Sequence, residues 1–358
     1  MDSVLEALSA KVREFSDAGR ALRPRGGGTK DFYGQVLEGE AFDTRAYAGI
    51  VSYEPSELVI TARCGTGLAE IEQAMSAHRQ MLAFEPPHFG TGATLGGMVA
   101  AGLSGPRRPA VGALRDFVLG VRMIDGRGEI LSFGGQVMKN VAGYDVSRLM
   151  AGSLGTLGLI AEVSLKTAPV PEAEATLRLE LPEDKAIEML NRWAGKPLPV
   201  SASAWTDGEL GVRLSGAAAA VESARKKIGG EHEDDARAAR FWAGVREHTG
   251  PFFRGPGGAA SPLWRISVSS AAPPLGLPGD RMVEWGGALR WLGSSADART
   301  VREAARRAGG HATLFRSEDK SAGAFQPLAP ALMELHRRLK RELDPQGIFS
   351  RGRMYADL

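Results

Sequence analysis

Residues 3–15 set Val4, Leu5, Leu8, Val12 and Phe15 at helical spacing with charged residues between them, which predicts an amphipathic first helix. The next stretch, LRPRGGGTKDFYG, loses any period at Arg25 to Thr29. SELVITARCGTGLAEIEQAMSAH passes from an apolar run through Gly65 and Gly67 into helical spacing, and so reads as strand, turn and helix. FVLGVRMIDGRGEILSF alternates apolar residues around Asp125-Gly126-Arg127-Gly128, a hairpin signal. In GSLGTLGLIAEVSLKTA a glycine cluster runs straight into a strand. The texture changes at Pro169-Val170-Pro171. ATLRLELP, PLWRISVSS, MVEWGGALRWL and HATLFRS then read as strands separated by two or three helices, one of them alanine-rich near 216–228, with Pro/Gly-rich connections over 250–262 and 271–279. Residues 330–343 predict a last helix, with Leu332, Leu335, Leu339 and Leu343 on one face. Arg337, Arg338, Lys340 and Arg341 form the other face, expected to be solvated.

This organisation is α+β in two parts: a glycine-rich part over 1–170, a smaller sheet-and-helix part over 171–330, and a closing segment over 331–358. A length of 358 residues suits two cores. The 44 basic and 42 acidic residues leave a net charge of +2, so no whole-chain field points to nucleic acid or an anionic membrane. The single cysteine, Cys64, excludes an intrachain disulfide framework and a cysteine-held metal or cluster, and fits a reducing cytoplasm. Charges at Asp2, Glu6, Lys11 and Arg13 interrupt any signal-peptide core, and no apolar run is long enough for a transmembrane helix.

Glycine is the outlier, at 46 residues, roughly 13% of the chain against a usual ~7%. A diphosphate needs several backbone N–H groups at close range, and glycine removes the side chains that obstruct that approach. Arg25-Gly-Gly-Gly-Thr29-Lys30 supplies free amides, a hydroxyl and two cations; Gly90 to Gly97 supplies a second set with Thr91 and Thr94; Gly152 to Gly158 supplies a third. Three such loops suit a dinucleotide held along its length. The spacing is not the G-x-G-x-x-G of a nicotinamide site, and no phosphate-binding G-x-x-x-x-G-K-[ST], G-x-S-x-G or H-E-x-x-H occurs.

The ordered set RGGGT, LGGMVAAGLSGPRR, KNVAGYDVSRLMAGSLGTLG and LDPQGIF resembles the FAD-linked oxidases of the vanillyl-alcohol-oxidase or PCMH type. Within them it is most similar to the FAD-binding E subunits of bacterial glycolate oxidases. The resemblance implies a PCMH-type FAD-binding domain over 1–170, an α+β cap over 171–330 and a C-terminal segment returning to the FAD domain. It implies that Arg25, Gly26, Gly27, Gly28 and Thr29 form the first pyrophosphate loop and that Thr94, Gly96 and Gly97 belong to the second. Ser104 and Gly105 would continue along the cofactor, with Gly152, Ser153, Gly155, Thr156, Gly158 and Ile160 on its other side. Asp344, Pro345 and Gly352 match the returning segment. Covalent members carry a histidine in the first loop; this chain has Gly-Gly-Gly-Thr, so the FAD is expected to be noncovalent. Where the family ends N-P-G, this chain has Ser350-Arg351-Gly352.

The implied activity is that of a subunit of a glycolate (2-hydroxy acid) oxidase or dehydrogenase complex. Its implied partners are a larger flavoprotein subunit and an iron–sulfur subunit, and its implied place the cytoplasm, with the inner membrane reached only through partners. The alternatives are a self-sufficient FAD-dependent alcohol or hydroxy-acid dehydrogenase and a non-catalytic assembly subunit. The sequence does not identify the catalytic residues. Hydroxy-acid oxidation needs a base and a carboxylate clamp. Yet none of His78, His88, His232, His248, His311 and His336 forms a metal-ligand pair, and the H-x-G-D-G-N-x-H and E-H-G motifs of superfamily dehydrogenases are absent. His311, His336, Lys139 and Tyr144 are the remaining candidates; Cys64 reads as a small apolar filler.

Overall fold

In a computed structural model the described residues are 2–135, 145–254 and 262–358. The first helix, Ser3–Asp17, starts where the Asp2 carboxylate accepts the Val4 N–H at 3.1 Å. It buries Leu5, Leu8, Val12 and Phe15, the face its spacing predicts, against Leu22, Tyr47, Ile348 and Phe349. A short parallel pair, Leu22–Arg25 with Glu40–Asp43, follows. The main sheet of this part runs Ile50–Glu54, Val59–Arg63, Leu159–Lys166, Val118–Ile124, Ile130–Gly134 in spatial order, antiparallel throughout. Helices Leu68–Ser76 and Leu95–Ala101 cover it through Leu68, Ile71, Met75, Leu95, Met98 and Val99. The strand–turn–helix and the hairpin stand where the periodicity puts them.

The residues from Ala173 onward build one eight-stranded antiparallel sheet. It consists of two halves with the same spatial order. Ala173–Glu180, Val200–Thr206, Glu209–Gly216 and Glu231–His232 are the four strands of the first half, and Leu263–Ser267, Asp280–Glu284, Leu289–Gly293 and His311–Arg316 those of the second. In each half the chain-order strands lie as 4-1-3-2. The two second strands meet in the middle, pairing Ala204 with Glu284, Trp205 with Val283 and Thr206 with Met282. Two ion pairs, Arg213–Glu85 at 2.8 Å and Arg107–Glu174 at 2.5 Å, tie this sheet to the glycine-rich part. A bond from Trp285 Nε1 to the Gly105 carbonyl adds to them.

The last helix, Pro330–Leu343, forms as its spacing predicts, with Leu339 and Leu343 packed against the main core and Arg338 and Arg341 exposed, but three positions depart from the expected faces. Leu335 is 60% exposed and Leu332 44%, whereas Lys340, assigned to the solvated face, is 7% exposed. Lys340 Nζ donates to the carbonyls of Thr156 and Phe349, both at 2.7 Å, and pairs with Asp344 at 2.7 Å. Satisfying every donor of a buried ammonium fixes the helix rotation more strongly than the leucine stripe does.

Candidate cofactor cleft

The first and second glycine loops lie against one another and form one wall of a cleft of about 850 Å³. A Cβ on Gly26 would run into the Thr94 side chain, and one on Gly27 into the carbonyl of Gly92, so these two glycines allow the loops to interlock. Thr94 caps helix Leu95–Ala101, its hydroxyl accepting from the Gly97 N–H at 3.4 Å. Gly97 itself is open towards the cleft: a Cβ there would have only Thr94 Oγ1 within reach, at 3.3 Å. Arg25, Gly28 and Thr29 complete the first loop on the wall, and Gly96 stands beside Gly97. Opposite them lie Gly155, Gly158 and Ile160.

Charge in the cleft is one-sided. Arg23, Arg25, Lys30 and Arg353 line it together with a single acid, Asp31, an excess of three positive charges. Arg25 holds Asp31 at 2.8 Å. Arg353 donates only to carbonyls, those of Asp31 at 2.8 Å, Lys30 at 3.5 Å and Gln35, and burial lowers its pKa to about 10. Lys30 Nζ reaches the His88 carbonyl at 3.1 Å; burial, partly opposed by Glu247, brings its pKa down to about 8. Cations left without carboxylate partners beside the open Gly97 fit a dinucleotide diphosphate.

Other residues singled out in the sequence stand elsewhere. The Ser104 hydroxyl accepts the Leu114 N–H at 2.9 Å, and Ser104 and Gly105 line a second chamber between the two sheets. Gly152, Ser153 and Thr156 line a cavity beneath the last helix, where Thr156 Oγ1 donates to the Ser153 carbonyl at 2.7 Å. Lys139 and Tyr144 lie outside the described residues. Sequence reasoning missed Arg23, Thr44, Leu154, Ser350 and Arg353 on the cleft wall. For Arg353 the returning C-terminal segment was the available signal. Cys64 is 1% exposed on the cleft floor, and burial pushes its thiol up to about 12, as suits a filler. His311 opens an edge strand, its pKa lowered by partial burial of the ring and by Arg265; His336 lines the cavity beneath the last helix. Among the described residues no group of three or more His, Cys, Asp and Glu could hold a metal.

The model of a family described as FAD binding domain matches residues 4–134. The glycolate oxidase subunit GlcE of Escherichia coli is 48% identical over 353 residues, covering 99% of this chain and 98% of that protein. The chain belongs to the family of FAD-binding glycolate oxidase E subunits. The family places it among the FAD-dependent oxidoreductases. A D-lactate dehydrogenase of Archaeoglobus fulgidus is 30% identical over 59% of this chain, which spans about half of that relative, 48%. An alkyldihydroxyacetonephosphate synthase structure superposes with a TM-score of 0.65 at 14% identity, covering 96% of this chain and 74% of its own, and so shares the fold. Among the described residues no helix is long and apolar enough to cross a membrane.

Proposed function

We propose that this chain carries noncovalent FAD as one subunit of a glycolate (2-hydroxy acid) oxidoreductase, beside a larger flavoprotein subunit and an iron–sulfur subunit. The observation that carries the reading is the cleft itself, in which an open Gly97 and an excess of three positive charges face one another. Residues 1–170 and 331–358 make the FAD domain in this reading, and 171–330 the cap. Arg25 to Thr29 with Thr94, Gly96 and Gly97 surround the diphosphate, and Gly155, Gly158 and Ile160 the far side. Arg23, Lys30 and Arg353 neutralise it. Ser104 and Gly105 stand in the adjoining chamber, and Gly152, Ser153 and Thr156 beneath the last helix. FAD, when bound, accepts the two electrons of hydroxy-acid oxidation. The first loop has no histidine to bond the flavin. Any attachment to the inner membrane runs through the partners.

The test is a visible spectrum of the chain purified alone, followed by acid precipitation and glycolate titration. A flavin band, yellow colour in the acid supernatant and FAD on heat release are expected, with glycolate oxidation sustained when the partner subunits are added. A colourless chain, or FMN in place of FAD, would overturn the reading.

A further inference from the structure

Beside the cofactor cleft lies the second, smaller chamber. The two adjoin: Ala101 lines the cleft and Leu103 and Ser104 the chamber, while Lys30 of the cleft stands over the ring of Phe89, a chamber wall. One side of the chamber comes from the glycine-rich part, the other from the cap sheet and the segment before it. Four cap groups there carry chemistry. Arg246 is paired with Glu247 at 2.9 Å. His248 is boxed among rings, stacked on Phe253 at 4.0 Å. Arg265 and Glu284 remain.

Arg265 makes no hydrogen bond or ion pair with any described residue; its guanidinium lies 5.1 Å from the centre of the Trp285 ring, whose other cationic neighbour is Arg108 at 4.4 Å. Glu284 is 3% exposed, and the hydrogen bond it has accepts the Trp291 indole N–H at 2.6 Å. Burial, only partly offset by Trp291 and Arg265, raises its carboxyl to about 8. Outside the cofactor cleft the other buried charges are matched, Arg107 with Glu174, Arg213 with Glu85 and Lys340 with Asp344. A half-buried guanidinium without a carboxylate partner and a buried carboxyl that accepts from Trp291 thus face the same aromatic-walled chamber.

We propose that the chamber binds a two- or three-carbon hydroxy acid, its carboxylate on the Arg265 guanidinium and its hydroxyl on the Glu284 carboxyl. This rests on the reading of the chain as a hydroxy-acid oxidoreductase subunit. A planar guanidinium offers two parallel N–H donors to a carboxylate. A hydroxyl both donates and accepts, so it bonds Glu284 in either protonation state, whereas a methyl group would add nothing to the bond from Trp291. Phe89, Leu289, Trp291 and Phe315 wall the chamber and leave no room for a long chain.

The experiment titrates the FAD-loaded chain with glycolate and with acetate, following the indole emission of Trp285 and Trp291. Without oxygen at most one equivalent of glycolate can react, so saturation is still read. Glycolate is expected to bind at least about tenfold more tightly than acetate. Arg265→Met should weaken both acids by about tenfold or more, and Glu284→Leu should bring the glycolate-to-acetate ratio near one while leaving acetate unchanged. Each variant is first shown to hold FAD as the parent does; should Glu284→Leu not, Glu284→Gln carries the test, and the ratio must fall. Unchanged acid binding in Arg265→Met, or an unchanged ratio in the Glu284 variant, overturns the assignment. If the assembled complex still oxidises glycolate in that case, the chamber is wrong and the functional reading stands; a wild-type complex inert to glycolate sinks the functional reading itself.

Discussion

Two glycines of the cofactor cleft have different physical reasons to be glycine. Gly27 touches protein: any Cβ meets the Gly92 carbonyl, so Gly27→Ala should lower the melting temperature of the FAD-free chain as well as its FAD affinity. Gly97 faces the cleft, so Gly97→Leu should leave the FAD-free chain nearly as stable and abolish FAD binding. Gly309, far away on the cap at φ +74, is the control: Gly309→Ala should cost about 1 kcal/mol through left-handed strain and keep the flavin. Calorimetry of the FAD-free chains and FAD titration read both quantities. Lys30 makes a pH prediction. Its pKa is held down to about 8 by burial, and a bound diphosphate favours the charged form, so FAD binding takes up a proton above pH 8. FAD affinity should therefore fall as pH rises from 7 to 9, and this slope should flatten in Lys30→Gln. The glycine loops were legible in the sequence because an excess of the residue without a side chain is itself a chemical statement. Arg265 and Glu284 were not, since nothing local distinguishes an arginine or glutamate in a strand until its neighbours fail to pair with it.

The last helix shows how much an element's pattern leaves open. The leucine spacing predicted a helix over 330–343, and the helix is there, but its rotation is set by Lys340 and the carbonyls of Thr156 and Phe349. The i,i+4 spacing of Lys340 and Asp344 is visible in the sequence; the distant carbonyls are not. Lys340→Met would strand the Asp344 carboxylate, which is 1% exposed and also accepts the N–H groups of Ile348 and Phe349. The expected loss is about 3–5 kcal/mol, measured by denaturant unfolding. Leu335→Gln on the exposed face should change stability by less than about 0.5 kcal/mol. If the glutamine variant proves the costlier of the two, the rotation described here is wrong.

On the scale of the whole chain, the doubled order of the cap sheet was invisible beforehand because its halves share connectivity rather than residues. The expected boundary at Pro169 to Pro171 rests on proline and a loss of glycine clusters. Leu22 donates to the Ile348 carbonyl at 2.8 Å and its own carbonyl accepts from Ser350 at 2.8 Å, while Ser350 and Arg353 line the cleft. A chain stopped after Asp344 should accordingly lose FAD, read as a missing flavin band, while the cap retains its sheet by circular dichroism.

That stitch between the chain's beginning and its end also orders events in time. The wall that greets the diphosphate is built from Arg25 onward, yet it lacks its closing arginine until Arg353 has emerged from the ribosome. In the proposed reading, a nascent chain passes through most of residues 1–358 with a half-open cleft, and flavin capture waits until residues 348–353 have been made.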